Sequence, residues 1–257
     1  MKKKIKLFIK IGIITVLILL LGFIALLIPA IRTVKISSHR IDCINQLHGI
    51  CLAVQDYHYR DKINHEKLPF YGDKTTGEEY WSWRAVWILS GYPYQKAPKF
   101  RLTEPWNSEY NLPLFKEKPY PNYFFCPGDE QREKASYVAV TGPGTVWTEL
   151  QNDNLLKYTW DYSEMIFIIE TPFPKNFWAE PGDDVTPEDV IRLFEADPGL
   201  VKNSKQKWWD FSHWPKNYVS FDGVAKNFDE IKDVEELRKM LILPPEALKM
   251  TRPEISE

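Results

Sequence analysis

The chain has 257 residues, 33 Lys and Arg against 35 Asp and Glu, and three cysteines. Seven of the basic groups and none of the acidic ones lie in the first 35 positions, so the remainder carries 26 basic against 35 acidic residues. That balance argues against a nucleic-acid partner, because counterion release needs clustered Lys and Arg, and about 220 residues suffice for one domain with its own core.

Lys2, Lys3, Lys4, Lys6 and Lys10 precede an uncharged run from Ile11 to Ile31, and Arg32 and Lys35 follow it. Twenty-one residues rising about 1.5 Å each as helix span roughly 31 Å, the hydrocarbon thickness of a bilayer. The run exceeds an ordinary signal-peptide core, and its exit, Ile28-Pro29-Ala30, lacks an Ala-x-Ala form, so it reads as an uncleaved anchor. Lysines concentrated before the span place the N-terminus in the cytoplasm and the rest outside it, in the periplasm or at the cell surface. The lipid bilayer is the first expected partner. Residues 1–35 form this anchor, 36–243 one extracytoplasmic domain, and 244–257 a loose tail.

Ile41, Ile44, Leu47, Cys51 and Val54 recur at helical spacing, which predicts an amphipathic helix to about Tyr59. Pro29 should kink or interrupt the path between the two helical halves, because it removes an amide donor and crowds the preceding turn. Tyr80 to Leu89 is a compact apolar segment whose periodicity fits either helix or buried strand. Tyr137 to Val140 and Met165 to Ile169 are short, apolar and β-branched, and read as strands. Gly142-Pro143-Gly144 breaks the first of them. A helix is expected to begin at Pro187 with Thr186 as its cap. Tyr218 to Phe221, Asp222-Gly223 and Val224 to Phe228 predict a hairpin with a tight two-residue turn. Ile231, Val234, Leu237 and Leu241 mark a last amphipathic helix beginning after Asp229.

Several ordered motifs resemble those of the domain of unknown function 1559 family, found mainly in planctomycete-type bacteria. They are the helix from Cys43-Ile-Asn-Gln-Leu-His-Gly-Ile-Cys51 to His58, Trp81-Ser82-Trp83-Arg84, Glu104-Pro105-Trp106-Asn107-Ser108 and Phe125-Cys126-Pro127-Gly128-Asp129. Ser136 to Thr145 and a closing His213 with Asp222-Gly223 complete the set. The resemblance covers roughly residues 36 to 228. It implies an α+β fold similar to type IV pilins and pseudopilins: a long N-terminal helix, hydrophobic in its first half, packed on an antiparallel sheet. Other pseudopilin-like subunits or secretion machinery become expected partners. The span departs from the prepilin pattern, because no Glu follows Gly12 or Gly22, and this favours a permanently anchored protein over a processed fibre subunit. Between His213 and Asp222 there are eight residues, one fewer than in the family.

Candidate chemistry is sparse. Three cysteines cannot all pair; Cys43 or Cys51 could bridge to Cys126 in an oxidising compartment, leaving one thiol. No Cys spacing suggests zinc. Asp183, Asp184 and Glu188, with Glu180 and Asp189, form an acidic loop that is a weak calcium candidate without EF-hand spacing. Thr141 to Thr145 lacks the Lys and following helix of a phosphate loop and reads as a turn. His213 near Asp222 forms no catalytic constellation, since neither a nucleophile nor a second ligand accompanies it. Trp81, Trp83, Trp106 and Trp178 fit core packing better than a glycan groove. The expectation is a non-enzymatic, cofactor-free envelope protein acting in assembly or interaction, with a membrane-tethered glycan- or peptide-binding module as the alternative.

Overall fold

The computed structural model describes residues 2–61, 72–73, 78–85, 100–117, 122–126, 134–151, 163–171, 176–182, 184–196 and 217–244. Asp183, His213 and the tail beyond Pro244 lie outside these residues, as does the end of the Tyr80 to Leu89 segment from residue 86; residues 83–85 are helical.

A single helix, α1 (Lys2–Asp61), runs through both the apolar span and the amphipathic segment. Pro29 lies inside it without interrupting it, so of the kink or interruption expected there the interruption is absent. Proline is tolerated inside membrane-spanning helices, where Ser and Thr side chains and local adjustment of the backbone accommodate the lost donor. The hydroxyl of Thr33 donates to the Pro29 carbonyl at 3.0 Å, and Thr15 does the same to Ile11. From Ile9 to Ile28 the side chains stand exposed, so this helix is long and apolar enough to cross a membrane.

The fold is α+β, built on a four-stranded antiparallel sheet in the order β3-β4-β5-β6: β3 (Tyr137–Ala139), β4 (Ile166–Glu170), β5 (Asn217–Ser220) and β6 (Ala225–Asn227). A separate small ribbon pairs β1 (Gly72–Asp73) with β2 (Glu78–Glu79). Short helices α2 (Asn111–Glu117), α3 (Val146–Gln151), α4 (Pro187–Glu195) and α5 (Val234–Leu241) complete the described elements. Helix α3 does follow the Gly142-Pro143-Gly144 turn, although none was expected there.

Both faces of the sheet are covered, which is why β4 is apolar without a break from Ile166 to Ile169. Cys43, Leu47, Ile50, Cys51 and Val54 of α1 pack with Tyr137, Ala139, Val219 and Phe221 on one face. Val190 and Ile191 of α4 and Leu237 and Leu241 of α5 pack with Val138, Val140 and Tyr218 on the other. Strict alternation fails in β4, where Phe167 and Ile168 both join the α1 side. The register shift between Ile166 and Ile168 explains this, since a bulge re-aims one side chain.

Local chemistry sets the boundaries. Thr186 and Asp189 form a reciprocal capping box with Pro187 at the first helical position, as expected. Helix α5 starts at Val234 on the Asp233 cap, several residues later than expected, because Phe228–Glu230 forms a 3-10 turn first. The hairpin also departs from expectation. Gly223 donates to the Ser220 carbonyl at 2.9 Å and Ser220 to that of Val224 at 3.1 Å. The loop is therefore three residues with Gly223 at φ +85°, a turn plus Gly bulge in place of the two-residue form.

Leu47 is fully buried whereas Ile41, on the same helix, is 58 % exposed. Leu47→Ala is expected to destabilise the detergent-solubilised protein by about 3 kcal/mol and Ile41→Ala by less than about 0.5 kcal/mol, read from denaturant midpoints.

Candidate functional site at the stem and head junction

The face of α1 between Cys43 and Gln55 supplies the polar groups that meet the sheet. Tyr137 Oη donates to Gln46 Oε1 at 2.8 Å. His48 Nδ1 lies 2.6 Å from the Gly223 carbonyl oxygen, to which it donates. Cys51 Sγ donates to the Ser220 carbonyl at 3.6 Å, and Gln55 Nε2 donates to that of Phe221. Three of these contacts hold the β5–β6 loop, and one holds β3. Asp222 shapes that loop by accepting from Ser220 Oγ at 2.6 Å and Val224 N at 2.9 Å.

Deeper in the junction, Cys43 Sγ and Cys126 Sγ lie 2.7 Å apart. One Glu170 oxygen completes a buried group whose donor atoms all lie within 4.8 Å of one another. Glu170 Oε2 accepts from Asn217 Nδ2 at 2.6 Å, and Asn217 Oδ1 accepts from Asn227 Nδ2 at 3.2 Å. The hydrogen bond that Cys43 donates to Cys126 and then burial hold the Cys43 thiol well above its usual range. Burial, reinforced by Glu170, raises the Tyr137 hydroxyl too. Burial and then the Asp222 charge push the Cys51 thiol up to about 12.

The other expected site residues are placed differently. Asp184 Oδ1 accepts from Trp83 Nε1 and from Ala139 N, both at 3.0 Å, so it latches two segments together. Asp189 serves the α4 cap and Glu180 Oε2 accepts from Phe177 N at 3.2 Å. The acidic loop thus spends these carboxylates on backbone and indole donors, and the described residues assemble no calcium cage from it. Glu188 is exposed on α4.

Trp81 and Trp178 are core residues and Trp83 and Trp106 pack against that core. Trp106 stacks on Phe177 at 5.1 Å and Trp178 on Phe124 at 6.1 Å. Trp83 lies 5.0 Å from Trp147, and Trp81 meets Phe100 edge-on at 5.4 Å. The ring contacts place Trp81 and Trp178 in the core and Trp83 and Trp106 against it.

Sequence reasoning missed His48, Gln46 and Arg84. Arg84 is fully buried and donates to the Trp178 and Tyr137 carbonyls, each at 3.0 Å. A cation inside the apolar Trp81-Ser82-Trp83-Arg84 motif was the available signal, because a buried guanidinium must be given acceptors. No protein-family model, no curated protein and no solved structure matches this chain.

Two measurements probe the junction. Gly223→Ala forces a Cβ into a left-handed backbone and is expected to cost about 1–2 kcal/mol in a denaturant titration. The Cys51 thiol titrates at about 12 when folded against an ordinary 9.0. The unfolded chain therefore releases this proton first as pH rises. Stability is fully present below pH 9 and falls between 9 and 12, with a slope of about 1.4 kcal/mol per pH unit for one group. Buried Tyr218, also raised to about 12, steepens the loss above pH 10. Urea midpoints at neutral and alkaline pH should show this, and Cys51→Ala should flatten the earlier part of the profile.

Proposed function

We propose that this chain is a membrane-anchored envelope protein, pseudopilin-like in plan, whose head lies outside the cytoplasm and acts in assembly or interaction without catalysis. The observation that carries the reading is the double use of α1. Its first half is exposed and apolar, and one face of its second half is buried against the sheet. Lysines before the span and none of the acidic residues within it support a cytoplasmic N-terminus.

An interaction role draws on a second face of the same helix. Val34, Ile41 and Leu52 are exposed, and at about 100° per residue they fall on the side opposite the buried Cys43, Leu47 and Val54. A stripe of this kind suits a neighbouring subunit or an envelope component. The buried polar groups of the junction, in turn, hold segments of the head together, which is a structural use.

Fractionation and topology mapping test the proposal. The protein should stay in membranes at high salt and alkaline carbonate and be released by detergent. A C-terminal epitope should be digested by protease added to spheroplasts, and N-terminal sequencing should find Met1 or Lys2. Recovery in the soluble fraction, or a protected epitope, overturns the placement. Cleavage after Gly12 would assign the chain to prepilin processing instead.

A further inference from the structure

Three buried thiols occupy one side of the head: Cys43 and Cys51 on α1, and Cys126 in the segment after the 3-10 turn at Asn122–Phe124. Cys43 and Cys126, 83 residues apart in sequence, have their sulfurs 2.7 Å apart. Non-bonded carbon atoms already prefer about 3.5–4.0 Å, and sulfur is larger. A tetrahedral zinc held by two thiolates at about 2.3 Å keeps the sulfurs roughly 3.8 Å apart. The observed separation is too short for either arrangement and lies toward the roughly 2.05 Å of a disulfide.

The same strand positions both thiols. Ser136, next to β3, takes the Cys126 amide on its Oγ at 2.9 Å and donates its own amide to the Phe124 carbonyl at 2.8 Å. Tyr137, the first residue of β3, holds Gln46 of α1, three residues from Cys43. Cys51 faces elsewhere, toward the Ser220 carbonyl at 3.6 Å.

We infer that Cys43 and Cys126 form a disulfide that bolts the membrane helix to the head, and that Cys51 remains a thiol. The inference rests on the extracytoplasmic placement above for its oxidant, a thiol–disulfide oxidoreductase in its disulfide form. One protein thiolate attacks a sulfur of that disulfide, making a mixed disulfide and releasing one oxidant thiol. The second protein thiolate then attacks the mixed disulfide and releases the other. The two protein thiols lose two protons and two electrons in all, and the oxidant's disulfide becomes a dithiol. The bond to Cys126 and burial hold the folded Cys43 thiol protonated, so the exchange precedes seating of α1 on the sheet.

The test uses the full-length protein extracted from membranes in detergent, with free thiols alkylated at harvest and peptides mapped without reduction. The expected result is a linked peptide pair carrying Cys43 and Cys126, and one alkylated residue, Cys51. A link through Cys51 overturns the inference. So does one equivalent of bound zinc with all three thiols recovered after denaturation, which would assign Cys43, Cys126 and Glu170 to a metal.

A second arm separates the chemistry from the placement. The purified, fully reduced chain is unfolded and refolded in oxidised glutathione. Failure to link Cys43 to Cys126 there overturns the inference itself. Linkage there, with reduced thiols in the protein taken from cells, overturns the bond in the cell, and protease access to the C-terminal epitope decides the placement separately. The variants C43S, C126S and C43S/C126S should share one loss, roughly 10 °C in Tm, because all three remove a single cross-link. C51S should keep the link. Additive losses from the two single changes would overturn the inference, and peptide mapping of the wild-type chain decides it where a variant does not fold.

Discussion

Everything in the head depends on one packing event, the seating of the inner half of α1 across the sheet. Cys43, Leu47, Ile50, Cys51 and Val54 all reach nearly complete burial there, and each large side chain removed from water stabilises by about 1.5–3 kcal/mol. The strands are short, between three and five residues, and a sheet of that size needs a covering layer to persist. One layer comes from α1 and the other from α4 and α5. The bulge in β4 follows from this demand, since it turns an extra large side chain toward the helix.

Around that contact, much of the described chain has no regular secondary structure, and its backbone groups must still be satisfied. Side chains take over the task. Arg84 ties the Trp178 and Tyr137 carbonyls. Asn111 donates to the Arg101 and Pro105 carbonyls and accepts from Arg101 N. Ser82 Oγ donates to the Trp178 carbonyl at 2.7 Å. A polar side chain with several backbone partners replaces a stretch of ladder, and the aromatic rings fill the volume between such ties.

The elements legible in the sequence were those with a local cause. The helical spacing from Ile41 to Val54, the β-branched runs at Tyr137 and Ile166, and Thr186-Pro187 each act within a few residues, and the fold contains them. The misses needed knowledge of distant partners. Pro29 looked like a break because a local rule ignores how much helix flanks it. Asp222-Gly223 suggested a two-residue turn, but the bond from Ser220 N to the Val224 carbonyl left three residues to span. In the acidic loop, the partners of Asp184 are Ala139 and Trp83, far along the chain. In the junction, Cys43 and Cys126 were legible as a possible pair, whereas His48 and Gln46 were not, since their partners lie far along the chain.

The unbroken course of α1 makes the head's heading in the membrane a matter of residue count. A helix turns about 100° and advances about 1.5 Å per residue. Adding one residue between Ile31 and Cys43 would swing the whole sheet by more than a quarter turn about the bilayer normal while lifting it less than a bond length or two. Seven added residues would nearly restore the heading and raise the head by about 10 Å. Height and compass direction are thus set together by the same twelve or so positions, in the manner of a keyed shaft.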